Sequence, residues 1–198
     1  MPTRPKTDEL RKLEGTGGAY YFWSDAKGLY PLSNLHRCNM RLTFPADRPW
    51  VPPFLQGRTL AFVSAEHAYQ CLKAKDLDDA RSFTEEGYLS WWPKTGHAKK
   101  RAKDQIGIVA KVAKHLQTCH IPIEHQEEVW DFIHATKFSE GSDHGARLCA
   151  THPHPLVEFD HRAKEHSLWG AKIKDGRLVG HNFMGRMLVR RRRFLLKQ

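Results

Sequence analysis

Phe62-Val63-Ser64-Ala65-Glu66-His67-Ala68-Tyr69-Gln70-Cys71-Leu72-Lys73 carries two helical faces side by side. Ala65, Ala68, Tyr69 and Leu72 recur at i, i+3, i+4 and i+7, the spacing of a stripe that faces a core. Glu66, Gln70 and Lys73 fall at i, i+4 and i+7 on the adjoining face. Leu60 to Val63 is strand-like and leads into Ser64, a residue type suited to cap a helix N-terminus. The stretch therefore predicts a helix that sets a carboxylate, an amide and an amine beside an apolar stripe. Taken alone it also fits a plain solvated face, with Glu66 favoured by the helix dipole.

Working outward, strand-like runs at Tyr20 to Trp23, Arg41 to Phe44, Thr59 to Val63 and Leu156 to Phe159 are set among helices expected from about Ala65, Gly96, Glu124, His144 and Phe183. The class expected is mainly α with a small β-sheet. Residues 1–18 are polar and Gly-containing, a loose arm, and no linker or repeat divides 19–198, so one domain is expected there. Short connections would bring the Glu66 helix, the Ser33-Asn34 turn and the helix starting at Asn182 around one pocket.

A formal net charge of +10 draws the chain toward polyanions, because summed positive potential steers and retains nucleic acid in a salt-dependent way. From Gly96 to Gln117, apolar residues line one helical face while Lys99, Lys100, Lys103, Lys111 and Lys114 cluster opposite. Such a stripe fits nucleic-acid contact and a solubilising face equally well. At the C-terminus, Asn182 can cap a helix whose apolar side is Met184, Met187, Leu188 and Leu195 and whose remainder is Arg186 and Arg190 to Arg193. Its start, with Gly180, Gly185 and Arg186, suits a phosphate, and Arg190 and Arg191 suit backbone phosphates or a solvated end.

Cys38, Cys71, Cys119 and Cys149 form no CxxC pair and read as reduced thiols. Among thirteen histidines, His152 and His154 near Cys149, and His120 and His125 near Cys119, lack the paired spacing of a zinc site, so no metal is expected. No apolar run approaches a membrane span, and no signal-type segment opens the chain. A soluble cytoplasmic protein without cofactor or obligate protein partner is expected.

Tyr21-Phe22-Trp23, Tyr30-Pro31-Leu32-Ser33-Asn34-Leu35 and Ser64 through Lys73 resemble the opening blocks of the YbiA-like, or NADAR, N-glycosidase family. Later blocks agree in order: Ala135 to Phe138, Leu148 to Thr151, Leu156 to Glu158, Trp169-Gly170, and Gly180 to Arg186 with Met187 to Arg190. The resemblance implies cleavage of a bond between a ribose anomeric carbon and a nitrogen. The substrate it implies is ADP-ribose on guanine bases of nucleic acid or, alternatively, a phosphorylated ribosylamino-pyrimidine of riboflavin synthesis. A binding module for nucleic acid or ADP-ribose that lost turnover is a third reading.

Glycosidic cleavage needs a carboxyl that gives and takes a proton, which points to Glu66. An amine that forms a Schiff base with the opened sugar splits one hard step into two, which points to Lys73 if its ammonium is partly desolvated. Under the resemblance Trp23, Ser33, Asn34, Tyr69, Gln70, His166, Trp169, Gly170, Asn182, Gly185 and Arg186 are substrate-binding candidates, Trp23 and Trp169 by stacking on a base. Lys99, Lys100, Lys103, Arg190 and Arg191 are candidates for nucleic-acid contact. The chain departs from the family at His166, where relatives carry Asp three positions before Trp-Gly, and at Ile121-Pro122-Ile123, where they carry Trp. Both positions face substrate in the riboflavin-type relatives, so the departures weigh against that substrate.

Overall fold

In the computed structural model, which describes residues 18–22, 30–87 and 119–198, contacts gather into two compact units. One spans Asn34–Lys137, and the other joins Phe138–Gln198 to the residues up to Ser33. In chain order the regular elements are β1 (Tyr20–Phe22), β2 (Met40–Thr43), β3 (Thr59–Phe62), α1 (Ala65–Cys71), α2 (Leu77–Arg81) and α3 (Gln126–Lys137). They continue with α4 (Asp143–Cys149), β4 (Leu156–Glu158), β5 (Lys172–Lys174), β6 (Arg177–Val179) and α5 (Phe183–Leu195). Helices with small sheets are what the patterning predicts. The amphipathic lysine segment and Trp23 lie outside the described residues.

In the unit of Asn34–Lys137, alternation in Met40-Arg41-Leu42-Thr43 turns Met40 and Leu42 inward and leaves Arg41 and Thr43 exposed. β2 pairs antiparallel with β3, Met40 opposite Phe62 and Thr43 opposite Thr59, whose hydroxyls meet at 2.8 Å. Phe62 then meets Phe44 edge-on, and Phe44 and Trp50 both pack on Phe132 of α3. Each such buried aromatic or aliphatic side chain contributes roughly 1.5–3 kcal/mol, and this cluster fixes α3 behind the strand pair. α1 follows β3 after two residues and packs on α3 through its apolar stripe. It is shorter than the sequence suggests. Lys73 N–H bonds the Gln70 carbonyl at 3.1 Å and Ala74 N–H the Cys71 carbonyl at 3.1 Å, so the last turn tightens and Lys73 sits just past the helix end. Ser64 occupies the N-cap position but makes no capping bond; its Oγ lies 2.8 Å from Nδ1 of His67 instead. α2, which periodicity did not reveal, has five residues and is started by Asp76, whose carboxylate accepts Asp79 N–H.

In the other unit, β1 and β4 pair in parallel, Tyr20 opposite Leu156 and Phe22 opposite Glu158. A parallel bridge between Phe159 and Ala171 carries the pairing onward to β5 and β6. That hairpin is turned by Asp175 and Gly176, both at positive φ, the two-residue turn whose twist matches antiparallel strands. Ile173 packs on Tyr21, Val157 and Ala171, which leaves Lys172 and Lys174 on the opposite face of β5. α5 lies against β4 so closely that a side chain at Gly185 would overlap the Leu156 carbonyl.

Asn182 departs from its expected part. It stands at the N-cap position with φ 49° but makes no capping bond. Its Nδ2 donates to the Leu156 carbonyl at 2.8 Å and its Oδ1 accepts Glu158 N–H at 3.0 Å, so one amide serves as a short strand pairing the edge of β4. No helix among the described residues is long and apolar enough to cross a membrane.

Candidate active site

Glu66 lies in the first turn of α1, where its backbone N–H bonds the Asn34 carbonyl at 3.0 Å. The Asn34 side chain is itself held, with Oδ1 3.0 Å from Nε2 of His134 on α3. One buried asparagine thus ties the start of the Glu66 helix to the helix behind it. One turn further on, Gln70 donates from Nε2 to Oε1 of Glu66 at 2.7 Å. Burial raises the Glu66 pKa above the usual carboxylate range, and the Gln70 bond and the charge of Lys73 oppose that rise without cancelling it.

Lys73 is half-buried, with Nζ 5.0 Å from the centroid of the Tyr69 ring. Burial lowers its pKa, and the charge of Glu66 pulls the other way. The acid is made weaker and the amine less basic, so their proton affinities approach one another. Just past the helix end, the Lys73 carbonyl accepts Cys119 N–H.

Tyr69 anchors this arrangement. Its ring stacks on Trp130 at 4.6 Å between centroids and 18° between planes. Its hydroxyl donates to Oε1 of Gln126 at 3.1 Å, and Gln126 passes the connection to the Ile121 carbonyl at 2.8 Å. Burial pushes the phenol up to about 12, so it stays neutral at ordinary pH. With one face stacked on Trp130 and the Lys73 ammonium 5.0 Å from its centroid, the ring is a platform for Lys73.

Asn34, Glu66, Tyr69, Gln70 and Lys73 are therefore brought together in one unit. In the other, Gly170, Asn182 and Gly185 gather around β4: a side chain at Gly170 would crowd the Glu158 carbonyl. Trp169 is 37 % exposed, edge-on to Phe183. Ser33 is buried, while His166, Arg186 and Arg190 are exposed. Arg191 donates to the Phe138 carbonyl at 3.0 Å and lies over the Phe194 ring. Trp23, Lys99, Lys100 and Lys103 lie outside the described residues. Among the described residues, no group of three His, Cys, Asp or Glu could hold a metal ion.

Sequence reasoning missed His134, Gln126 and Trp130 as supports of the site. The signal was present in α3. Gln126, Val129, Trp130, Ile133 and Lys137 share one helical stripe, so its polar members were due to be buried, as they are. Lys137 lies beside the Cys38 thiol, whose pKa burial raises.

Short strand pairs set among helices, with a Glu-Gln-Lys face presented after a strand, define a YbiA-like fold. The chain is similar to YbiA of Escherichia coli, solved by NMR, at 18 % identity and a TM-score of 0.56, over 90 % of this chain and 85 % of that one. At that identity the likeness shows the fold alone. No protein-family profile and no curated protein sequence matches the chain.

Proposed function

We propose that this chain is an N-glycosidase that removes ADP-ribose from guanine bases of nucleic acid, with Glu66 as general acid and base and Lys73 as nucleophile. The observation that carries the proposal is the pair itself: a carboxyl made less acidic by burial and an amine made less basic by burial, about two helical turns apart with Gln70 between them. Such matched groups exchange a proton at little cost, which acid and base work near neutral pH requires.

The steps follow from the bonds. Glu66, protonated, gives its proton to the ribose ring oxygen as the ring opens and the base nitrogen's lone pair forms a C=N bond to the anomeric carbon. Neutral Lys73 adds to that carbon. The base leaves with its electron pair and a proton from the lysine nitrogen, which leaves a lysine imine. Water, deprotonated by Glu66, adds to the imine carbon, and the sugar departs with a carbonyl at C1 while Lys73 regains its proton. The balance is one water consumed and one C–N bond cleaved.

The net charge of +10 supports a polyanionic substrate over a free metabolite. His166, where the resemblance puts a carboxylate in relatives of the riboflavin type, points away from that substrate.

The test is release of free ADP-ribose from guanine-ADP-ribosylated DNA by the full chain, beside Glu66→Gln and Lys73→Ala, with borohydride present to trap an imine. Release lost in both variants, with a covalent adduct absent in Lys73→Ala, is the expected result. Release that survives both substitutions sinks the mechanism. Inactivity on DNA with liberation of ribose 5-phosphate from the pyrimidine intermediate reassigns the substrate.

A further inference from the structure

Gln70 is 6 % exposed, and its two polar ends fare differently. Nε2 donates to Oε1 of Glu66 at 2.7 Å. Oε1 of Gln70 is buried and has no hydrogen-bond partner. A buried acceptor left unpaired costs about 1–3 kcal/mol, a cost that Leu or Met at this position would avoid. Packing therefore does not explain an amide here, and the hydrogen bond to the carboxyl remains as its use. Position i+4 on the same helix also fixes the reach: the amide meets Glu66 from the C-terminal side whatever loops do elsewhere.

We propose that Gln70 is a positioning residue that holds Oε1 of Glu66 as an acceptor and so leaves Oε2 to carry and deliver the catalytic proton. The inference rests on the glycosidase reading for the word catalytic, but the hydrogen bond and its effect on the carboxyl do not. The carbonyl oxygen of a carboxyl is a better acceptor than its hydroxyl oxygen, so while Gln70 donates to Oε1, a proton on Glu66 is favoured on Oε2. The bond also favours the ionised carboxylate, which sets a ceiling on how far burial weakens the acid. Other groups facing Glu66 are the Lys73 ammonium and the neutral Tyr69 phenol. On the neighbouring elements His134 of α3 is bonded to Asn34, Lys137 lies beside Cys38, and Asp79 of α2 is paired with Lys75.

The experiment compares wild type with Gln70→Met and Gln70→Glu in the full chain. Glu66 is titrated through its side-chain carboxyl carbon by NMR in protein labelled with ¹³C at glutamate Cδ, its signal assigned by Glu66→Gln. In Gln70→Met the midpoint moves upward by about one pH unit, since a bond to the charged form is lost. In Gln70→Glu it moves up as well, because two carboxyls then share the site. With substrate, the acid limb of kcat/KM moves by the same amount in Gln70→Met, kcat falls about tenfold, and KM changes less than about twofold. A midpoint that stays put in both folded variants overturns the proposal. So does a rise in KM at unchanged kcat and pH profile, which would make Gln70 a substrate ligand. Because the NMR titration needs no substrate, a shifted midpoint in a protein inactive on every glycoside would uphold the positioning of Glu66 and defeat the glycosidase reading alone.

Discussion

The α1–α3 region and the β4–α5 region both bury polar and charged side chains, and they do so to opposite ends. Around β4 the buried groups hold neighbouring backbone and a threonine hydroxyl. Arg192, 3 % exposed, gives Nη1 to Thr151 Oγ1 and to the His154 carbonyl, each at 2.8 Å. Asn182 pairs the strand edge at both ends of its amide. Around Glu66 the buried groups face each other, with an amide oxygen left over and two pKa values displaced toward a common value. Burial alone therefore does not mark a functional charge. Neither does an unpaired polar atom or a displaced proton affinity taken singly, since Arg192 keeps a buried Nε without a partner and a pKa lowered by burial; what sets α1 apart is an acid and an amine displaced toward one another.

The sharpest way to break the contrast is to remove the charges of Glu66 and Lys73 and watch activity and stability separately. Glu66→Gln and Lys73→Ala are expected to lower kcat by about 10²–10⁴-fold without lowering the melting temperature. Glu66→Gln should raise it. Between the ordinary carboxylate value of 4.5 and the higher folded value, the native state holds a proton that the unfolded chain has released, so stability falls as pH rises through that window. Above the folded value the penalty is fully in place, and the amide escapes it. A melting temperature that drops in Glu66→Gln would place Glu66 with the structural set.

Substitutions around β4 should do the reverse. Gly185→Ala drives a methyl into the Leu156 carbonyl and is expected to cost about 3 kcal/mol or more. Arg192→Met strips donors from Thr151 and the His154 carbonyl and is expected to cost about 2–4 kcal/mol. In Arg192→Met, residual activity per folded molecule should stay near wild type, read from denaturant titrations beside the turnover of the folded fraction.

His67 sharpens the comparison from inside α1, where it is a structural neighbour of Glu66. Burial and the charge of Arg37 hold its pKa at about 3, and its Nδ1 lies 2.8 Å from Ser64 Oγ. From about 6.5 down to about 3 the unfolded chain takes a proton that the native state refuses, so stability declines as pH falls across that window. Urea unfolding at pH 7 and pH 4.5 should show wild type losing about 2–3 kcal/mol more than His67→Gln. Equal losses would mean that His67 carries no such penalty.

These roles were unevenly legible in the sequence. Glu66 and Lys73 were readable because helical spacing places them on one face whether or not the helix extends to Lys73. Asn182 and Ser64 are each a good capping residue at a helix start whose side chain found another partner: the β4 edge, distant in sequence, for Asn182, and the His67 ring three residues on for Ser64. α2 was too short to show periodicity. The β5–β6 hairpin was missed although Asp175-Gly176 announced its turn, because flanking lysines masked the alternation.

That hairpin supplies the smallest expected effect and a third kind of charge. Lys174 stands directly opposite Arg177, a like-charge pair in register across an antiparallel ladder. Such pairs destabilise, so Lys174→Glu, which makes the pair attractive, should raise stability by about 0.2–1 kcal/mol, a change in melting temperature of about 1–3 °C. The same variant lowers the positive charge on this exposed face by two and should weaken retention on duplex DNA at low salt, with the difference vanishing as salt rises. If stability rises and DNA retention falls together, the hairpin repeats at its surface what α1 does inside: charge held against the interest of the fold. If stability rises while retention at low salt is unmoved, the polyanion is met elsewhere on the chain, and the repulsion across β5 and β6 is a cost without a role.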